Sequence, residues 1–150
     1  MDQLETAETI LGIGYITLQT YIAGAIADLK AVFPFCQKPP ELMAMSLMLG
    51  NTQTTVIEAV WCLANYFKHH DEWPDWKAKG PRRTIETLNR LGINEETEFP
   101  CIELMKVLAS DQWRFLPLMQ SCSDWRESLF AALRRQQEND VVPTFRAKPH

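Results

Sequence analysis

The stretch LETAETILGIGYITLQTYIAGAIADLKAVF, residues Leu4–Phe33, decides the fold of this chain. Its apolar residues recur at heptad-like spacing. They form one row of Leu4, Leu11, Leu18, Ala25 and Val32, and a neighbouring row of Tyr15, Ile22 and Leu29. More apolar residues lie outside both rows, at Ile10, Ile13, Ile16, Tyr21 and Ile26. The pattern predicts a long helix with several flanks that neighbouring helices or a second subunit must cover.

The rest of the chain reads as further helices separated by Pro and Gly. Pro34, Pro39 and Pro40 mark a connection after the first helix. Helices are then predicted over 41–49, from a cap at Thr52 or Thr54 to about residue 70, and over 84–91, 101–108 and 111–138. No alternating β-rich run occurs. The sequence therefore predicts an all-α fold: a single-domain bundle of five or six helices, three of them long, over residues 1–138, with a mobile tail over 139–150.

Cysteine usage and the N-terminal charge pattern favour a cytoplasmic protein. Cys36, Cys62, Cys101 and Cys122 are scattered, without the spacing of a zinc site, and are expected to be reduced thiols. Cys62 is expected in the core, because its neighbours are apolar. Acidic residues precede the first apolar run, the reverse of a signal peptide, and no uninterrupted apolar segment is expected to reach membrane-spanning length. We therefore expect no association with a membrane.

Charge gives a weak indication of the partner. The formal net charge is -4, which argues against a general nucleic-acid binder, since contact with phosphates requires an excess of Lys and Arg on one face. Residues 1–80 carry nine acidic and five basic side chains, whereas residues 81–150 carry ten of each. An acidic first half would suit a basic partner; it is equally the composition of an ordinary solvated surface.

The stretch Ala64–Trp73, ANYFKHHDEW, is where an apolar helix changes into titratable and aromatic residues. Cations at the end of the helix match its dipole. His69, His70, Asp71 and Glu72 cannot converge on one ion, because adjacent helical side chains point about 100° apart. The chain also lacks a nucleophile motif and a phosphate-binding Gly loop, so neither a metal nor a cofactor is expected.

Within that stretch, Ala64–His69 resembles the signature of HEPN-type domains. In those small helical bundles an Arg, a following polar residue and a His four residues further on form a ribonuclease site, commonly across a dimer interface. Asn65 and His69 match the polar and His positions, but Ala64 replaces the Arg that would hold the scissile phosphate. The resemblance implies a ribonuclease or nucleotide-binding module acting through Asn65 and His69. Alternatively, the two residues hydrogen-bond each other or cap the helix.

A second resemblance is one of general profile. A small, acidic, motif-poor single domain with aromatics beside acids resembles the immunity proteins of bacterial contact-dependent growth inhibition systems. It implies a non-enzymatic immunity protein or antitoxin that neutralises a basic toxin domain, such as a nuclease. The partner-binding residues would be acids that steer the toxin and Trp anchors that bury area. They are Asp71, Glu72, Trp73, Asp75 and Trp76. A homodimer is compatible with both resemblances.

Overall fold

The computed structural model of the protein describes residues 2–34, 36–72, 81–109 and 114–141. Over these ranges it contains six α-helices and no strand, which confirms the predicted all-α bundle. The helices are α1 (Gln3–Val32), α2 (Pro39–Ala44), α3 (Val56–His69), α4 (Arg82–Arg90), α5 (Pro100–Ala109) and α6 (Leu116–Val141), with a 3-10 turn at His70–Glu72 directly after α3.

Helix α1 packs antiparallel to α3. Near the start of α1, Gly12 lies against the ring of Phe67, close to the end of α3. Further along, the side chain of Gln19 bonds to that of Asn65, two residues earlier in α3, and to the carbonyl oxygen of Trp61, a further turn earlier. A Cβ at Gly12 would overlap the Phe67 ring. The glycine therefore permits the close helix approach that the sequence suggested.

Helix α6 runs parallel to α1 on another flank. Gly14 lies against the ring of Phe115, just before α6 begins, and Asp28 faces Arg126 further along both helices, at 3.8 Å. The predicted stripe of this helix was Phe115, Leu118, Ser121 or Cys122, Trp125, Leu129 and Leu133, and it is confirmed from Leu118 onwards with Cys122 buried. Phe115 is only partly buried and precedes α6, which begins at Leu116 rather than at about residue 111. The indole Nε1 of Trp125 donates a hydrogen bond of 2.9 Å to the carbonyl oxygen of Leu42. This bond ties α6 to α2.

The second predicted helix was wrong in extent. It was expected over 41–49, but α2 ends at Ala44. The following residues turn back instead: Val56 N donates to the carbonyl of Leu47, and Met48 and Thr55 form an isolated β-bridge. These long-range bonds outweigh the local helix propensity of the segment.

The cap of α3 is Thr55, so the prediction of Thr52 or Thr54 was wrong. Its hydroxyl oxygen accepts from the backbone N–H of Glu58 at 3.2 Å and donates to the carbonyl oxygen of Met43 at 2.9 Å. Thr55 is fully buried, and its second bond ties the start of α3 to α2. The tertiary partner selects this threonine from three nearby ones.

The far end of the chain extends further as helix than predicted. Helix α6 continues to Val141, past the predicted boundary at residue 138. The remainder of the predicted tail, residues 142–150, lies outside the described residues.

By length and composition, α1 is a helix that could cross a membrane, although polar residues interrupt its apolar sequence. An 18-residue window in Gln3–Val32 has a mean hydropathy of 1.5. The reason is that residues 9–27 contain no charged side chain. Within the bundle, 44% of this window is buried. Tyr15 and Ile22 are fully buried there.

Candidate partner-binding site at the end of helix α3

The residues after α3 place two carboxylates at the surface. Asp71 and Glu72 belong to the 3-10 turn, and their side chains are 92% and 70% exposed. Each has a histidine beside it: His70 Nε2 lies 3.1 Å from Asp71 Oδ1, and His69 Nδ1 lies 3.3 Å from Glu72 Oε1. The other ring nitrogen of His70 faces the carbonyl oxygen of Phe67 at 3.1 Å. A protonated His70 can donate to both oxygens.

Several other acidic residues lie at the same end of the bundle. The carboxylate of Glu8, in the first part of α1, accepts from the backbone N–H groups of Cys101 and Ile102 at 2.8 and 3.0 Å. It thereby caps the start of α5, where a negative charge is favourable. The pKa of Tyr66, near the end of α3, is raised mainly by burial. The neighbouring groups Glu8, Cys101 and Asp71 raise it further. The starts of α1 and α5 therefore meet the end of α3.

Helix α4 brings a third acidic segment to this end. It begins beside the start of α3, where Arg83 pairs with Glu58 at 2.9 Å, and it runs in the same direction as α3, because Thr87 lies beside Cys62, one turn further along both helices. The acidic loop over 91–99 then connects it to the start of α5. We call this part of the surface the acidic end. The segments that meet here or lead into it carry eight carboxylates: Asp2, Glu5 and Glu8 in or just before the first turns of α1, Asp71 and Glu72 directly after α3, and Glu95, Glu96 and Glu98 in the loop before α5.

The acidic end does not coincide with the acidic first half of the sequence. The acidic first half supplies only part of the acidic end, because Glu95, Glu96 and Glu98 come from the second half, which is neutral overall. The concentration of charge results from the antiparallel packing of α1 on α3. It could not be read from a count along the chain.

Asn65 and His69 both lie in the described part of the chain, and they do not hydrogen-bond each other. The Oδ1 atom of Asn65 accepts from Gln19 Nε2 at 2.7 Å, whereas His69 faces Glu72. The expectation that the two residues bond each other is therefore wrong. Ala64, at the Arg position of the HEPN signature, is fully buried. A side chain from that position points into the core rather than towards a phosphate in solvent.

Three of the predicted partner-binding residues cannot be placed beside Asp71 and Glu72. Trp73, Asp75 and Trp76 fall in 73–80, outside the described residues. Their role stays a prediction from the sequence.

The cysteines behave as core residues. Cys62, Cys101 and Cys122 are buried, which confirms the prediction for Cys62. Burial raises the pKa of all three thiols, that of Cys122 to about 11. They are therefore protonated and poorly nucleophilic at neutral pH. In the part of the chain that the structure describes, no group of three or more His, Cys, Asp or Glu residues is arranged to hold a metal ion.

The sequence reasoning missed two grooves between α1 and α6. Each has a volume of about 490 Å³. Gly14, Tyr21 and Met119 line the first, which is almost entirely apolar, and Val32 and Phe130 line the second. The signal was present in the apolar residues outside the two rows of α1, but the partner helix lies about a hundred residues away in the chain.

In comparisons with protein-family models, curated protein sequences and solved structures, nothing matches this chain. Its function must therefore be inferred from its own residues.

Proposed function

We propose that this protein is a non-enzymatic binding protein of the bacterial immunity or antitoxin type, which uses its acidic end to bind and neutralise a basic toxin domain in the cytoplasm. The observation that carries the proposal is the pair of carboxylates of Asp71 and Glu72, which are 92% and 70% exposed at the end of α3. The acidic first turns of α1 and the acidic loop before α5 lead into the same end of the bundle. A nuclease is a suitable partner class, because a surface that binds nucleic acid is itself basic.

The acidic end would act mainly on the rate of association. Clustered charge of one sign steers an oppositely charged partner and can raise the association rate by roughly tenfold or more at low salt. Exposed charges alone contribute little net affinity. Tight binding therefore needs apolar anchors, and the sequence offers Trp73 and Trp76 directly after Glu72 for that role.

The test is a binding measurement with matched charge reversals. The probe is the product of the neighbouring gene, where an immunity gene and its toxin gene would be adjacent. We expect Asp71→Lys combined with Glu72→Lys to slow association by roughly tenfold at low salt. The control is Asp124→Lys with Glu127→Lys on α6, which changes the net charge equally but away from the acidic end. Equal effects of both pairs, or no complex at all, would overturn the proposal.

The HEPN-like alternative makes a different prediction. It requires RNA cleavage that depends on Asn65 and His69. Purified protein is incubated with RNA and compared with His69→Ala. Robust cleavage that the substitution abolishes would replace the binding proposal with an enzymatic one.

A further inference from the structure

The exposed face of α1 is uncharged over about five turns. Residues 9–27 contain no Asp, Glu, Lys, Arg or His, although half of this stretch faces away from the bundle. Ile10 and Ile13 are 61% and 57% exposed. The hydroxyls of Thr17 and Thr20, on the same face, donate to carbonyl oxygens of the helix itself, so the face offers little besides apolar groups and marks a candidate interaction site.

The side chains along this face change in size in a regular order. Two bulky residues, two threonines and two small residues follow one another: Ile10, Ile13, Thr17, Thr20, Gly24 and Ala27, all of them exposed. With 100° per residue they form a stripe about 100° wide. An antiparallel copy related by a two-fold axis at the middle of the stripe would place Ile13 opposite Gly24 and Ile10 opposite Ala27. Such self-complementarity is what a two-fold interface requires.

The open space at Gly24 is a separate indication of a two-fold interface on this face of α1. The other two glycines inside α1 are occupied: Gly12 accommodates the ring of Phe67, and Gly14 that of Phe115. At Gly24 no atom of the described chain lies within 4 Å of where a Cβ would be. Glycine weakens a helix interior, and nothing described within the molecule requires it here. A bulky side chain from a second copy would use the space.

The charges at the ends of α1 favour the same orientation. Glu5 and Lys30 lie on one flank of the stripe, near opposite ends. In an antiparallel pair, Glu5 of each copy comes within about 3 Å, along the helix axis, of Lys30 of the other, because the two positions are only two residues out of register. A parallel pair would place like charges together and Ile13 against Ile13. Charge and shape therefore select the antiparallel arrangement.

We propose that the stripe on α1 binds a second copy of this chain, with the two α1 helices antiparallel. The stripe from Ile10 to Ala27 covers 18 residues, about 27 Å of a helix 10–12 Å wide, so the pair buries roughly 300 Å² per copy. This is less than the approximately 800 Å² of a standard interface. The dimer is therefore weak and concentration-dependent. The proposal does not depend on the function of the acidic end.

Sedimentation velocity of the full chain over a roughly hundredfold concentration range tests the dimer. We expect a shift from monomer to dimer. Gly24→Ile should raise the dissociation constant at least tenfold, because it opposes two bulky residues, and Ile13→Ala should weaken the dimer by loss of apolar contact. The double variant Ile13→Ala with Gly24→Ile exchanges bulky and small positions and should restore dimerisation. Val107→Ala, on the exposed surface of α5, is the control.

Circular dichroism and thermal melting of each variant establish that the monomer is folded, as expected from the open space at Gly24. A wild-type chain that stays monomeric throughout the range overturns the proposal. So does a double variant that dimerises no better than Gly24→Ile. In parallel, the wild-type chain is sedimented with phosphatidylcholine vesicles. A monomer that binds the vesicles would assign the stripe to a lipid surface and would also overturn the proposal.

Discussion

The side-chain amide of Gln19 links α1 to α3, and removing its partner Asn65 gives a quantitative test of the structure. Gln19 is only 6% exposed. Its Nε2 atom donates to Asn65 Oδ1 at 2.7 Å and to the carbonyl oxygen of Trp61 at 3.2 Å. We expect Asn65→Ala to lower the free energy of unfolding by about 1–2 kcal/mol, because one N–H group of a buried amide loses its acceptor.

Replacing Gln19 with Leu should cost less, at most about 1 kcal/mol. It removes the buried donors altogether, and the carbonyl of Trp61 retains its helical bond from the N–H group four residues later. In the Gln19→Leu background, Asn65→Ala then removes no bond to α1. The two substitutions should therefore be non-additive, with a coupling energy of about 1 kcal/mol.

The assay is urea unfolding of the wild type, both single variants and the double variant, followed by far-UV circular dichroism. An unchanged dependence on urea shows that the native and denatured states remain comparable. Effects that add to within about 0.3 kcal/mol would refute the reasoning, because independent side chains behave in that way. The coupling would assign Asn65 a structural role, in contrast to the catalytic role that the HEPN resemblance implies.

Three more predictions concern residues of α1 and α6. In urea unfolding, Gly24→Ala should raise the free energy of unfolding of the monomer by about 0.5–1 kcal/mol. Gly12→Ala should lower it by about 1–3 kcal/mol, because the new Cβ overlaps the ring of Phe67. A Gly12→Ala chain that is more stable than Gly24→Ala would contradict the packing. Tyr15→Phe should leave stability unchanged or raise it by up to about 1 kcal/mol, since the buried hydroxyl has no partner among the described residues; a clear loss in thermal melting would reveal a bond. Burial raises the pKa of Cys122 to about 11, so on raising the pH the thiol loses its proton in the unfolded chain before it does so in the folded one. The free energy of unfolding should therefore fall as the pH rises from 9.0 towards 11. In urea unfolding, Cys122→Ala should show a smaller decrease over this pH range than the wild type, and an equal decrease would contradict the raised pKa of Cys122.

The helices with strong apolar periodicity could be predicted from the sequence. The stripes of α1 and α6 follow directly from the 3.6-residue repeat, and the end of α3 follows from its cations and the proline after it. Helix α2 and the cap at Thr55 could not, because bonds between segments decide them. The backbone of Leu47 and the carbonyl of Met43 supply those bonds.

The site was harder to predict than the fold. Spacing alone put Asn65 and His69 on one side of α3, but the partner of Asn65 is Gln19, 46 residues earlier in the chain. The acidic end likewise combines Asp71 with Glu95 and other acids from separate segments. Neither association follows from local sequence, since both depend on the antiparallel packing of α1 and α3.

The salt dependence of binding tests most directly the claim that this protein acts by binding a basic partner at its acidic end. Association with the product of the neighbouring gene is measured by stopped-flow fluorescence for the wild type and for Asp71→Lys with Glu72→Lys. The account predicts an association rate that falls steeply as salt increases for the wild type and only weakly for the variant. Identical salt dependence of the two proteins would contradict it.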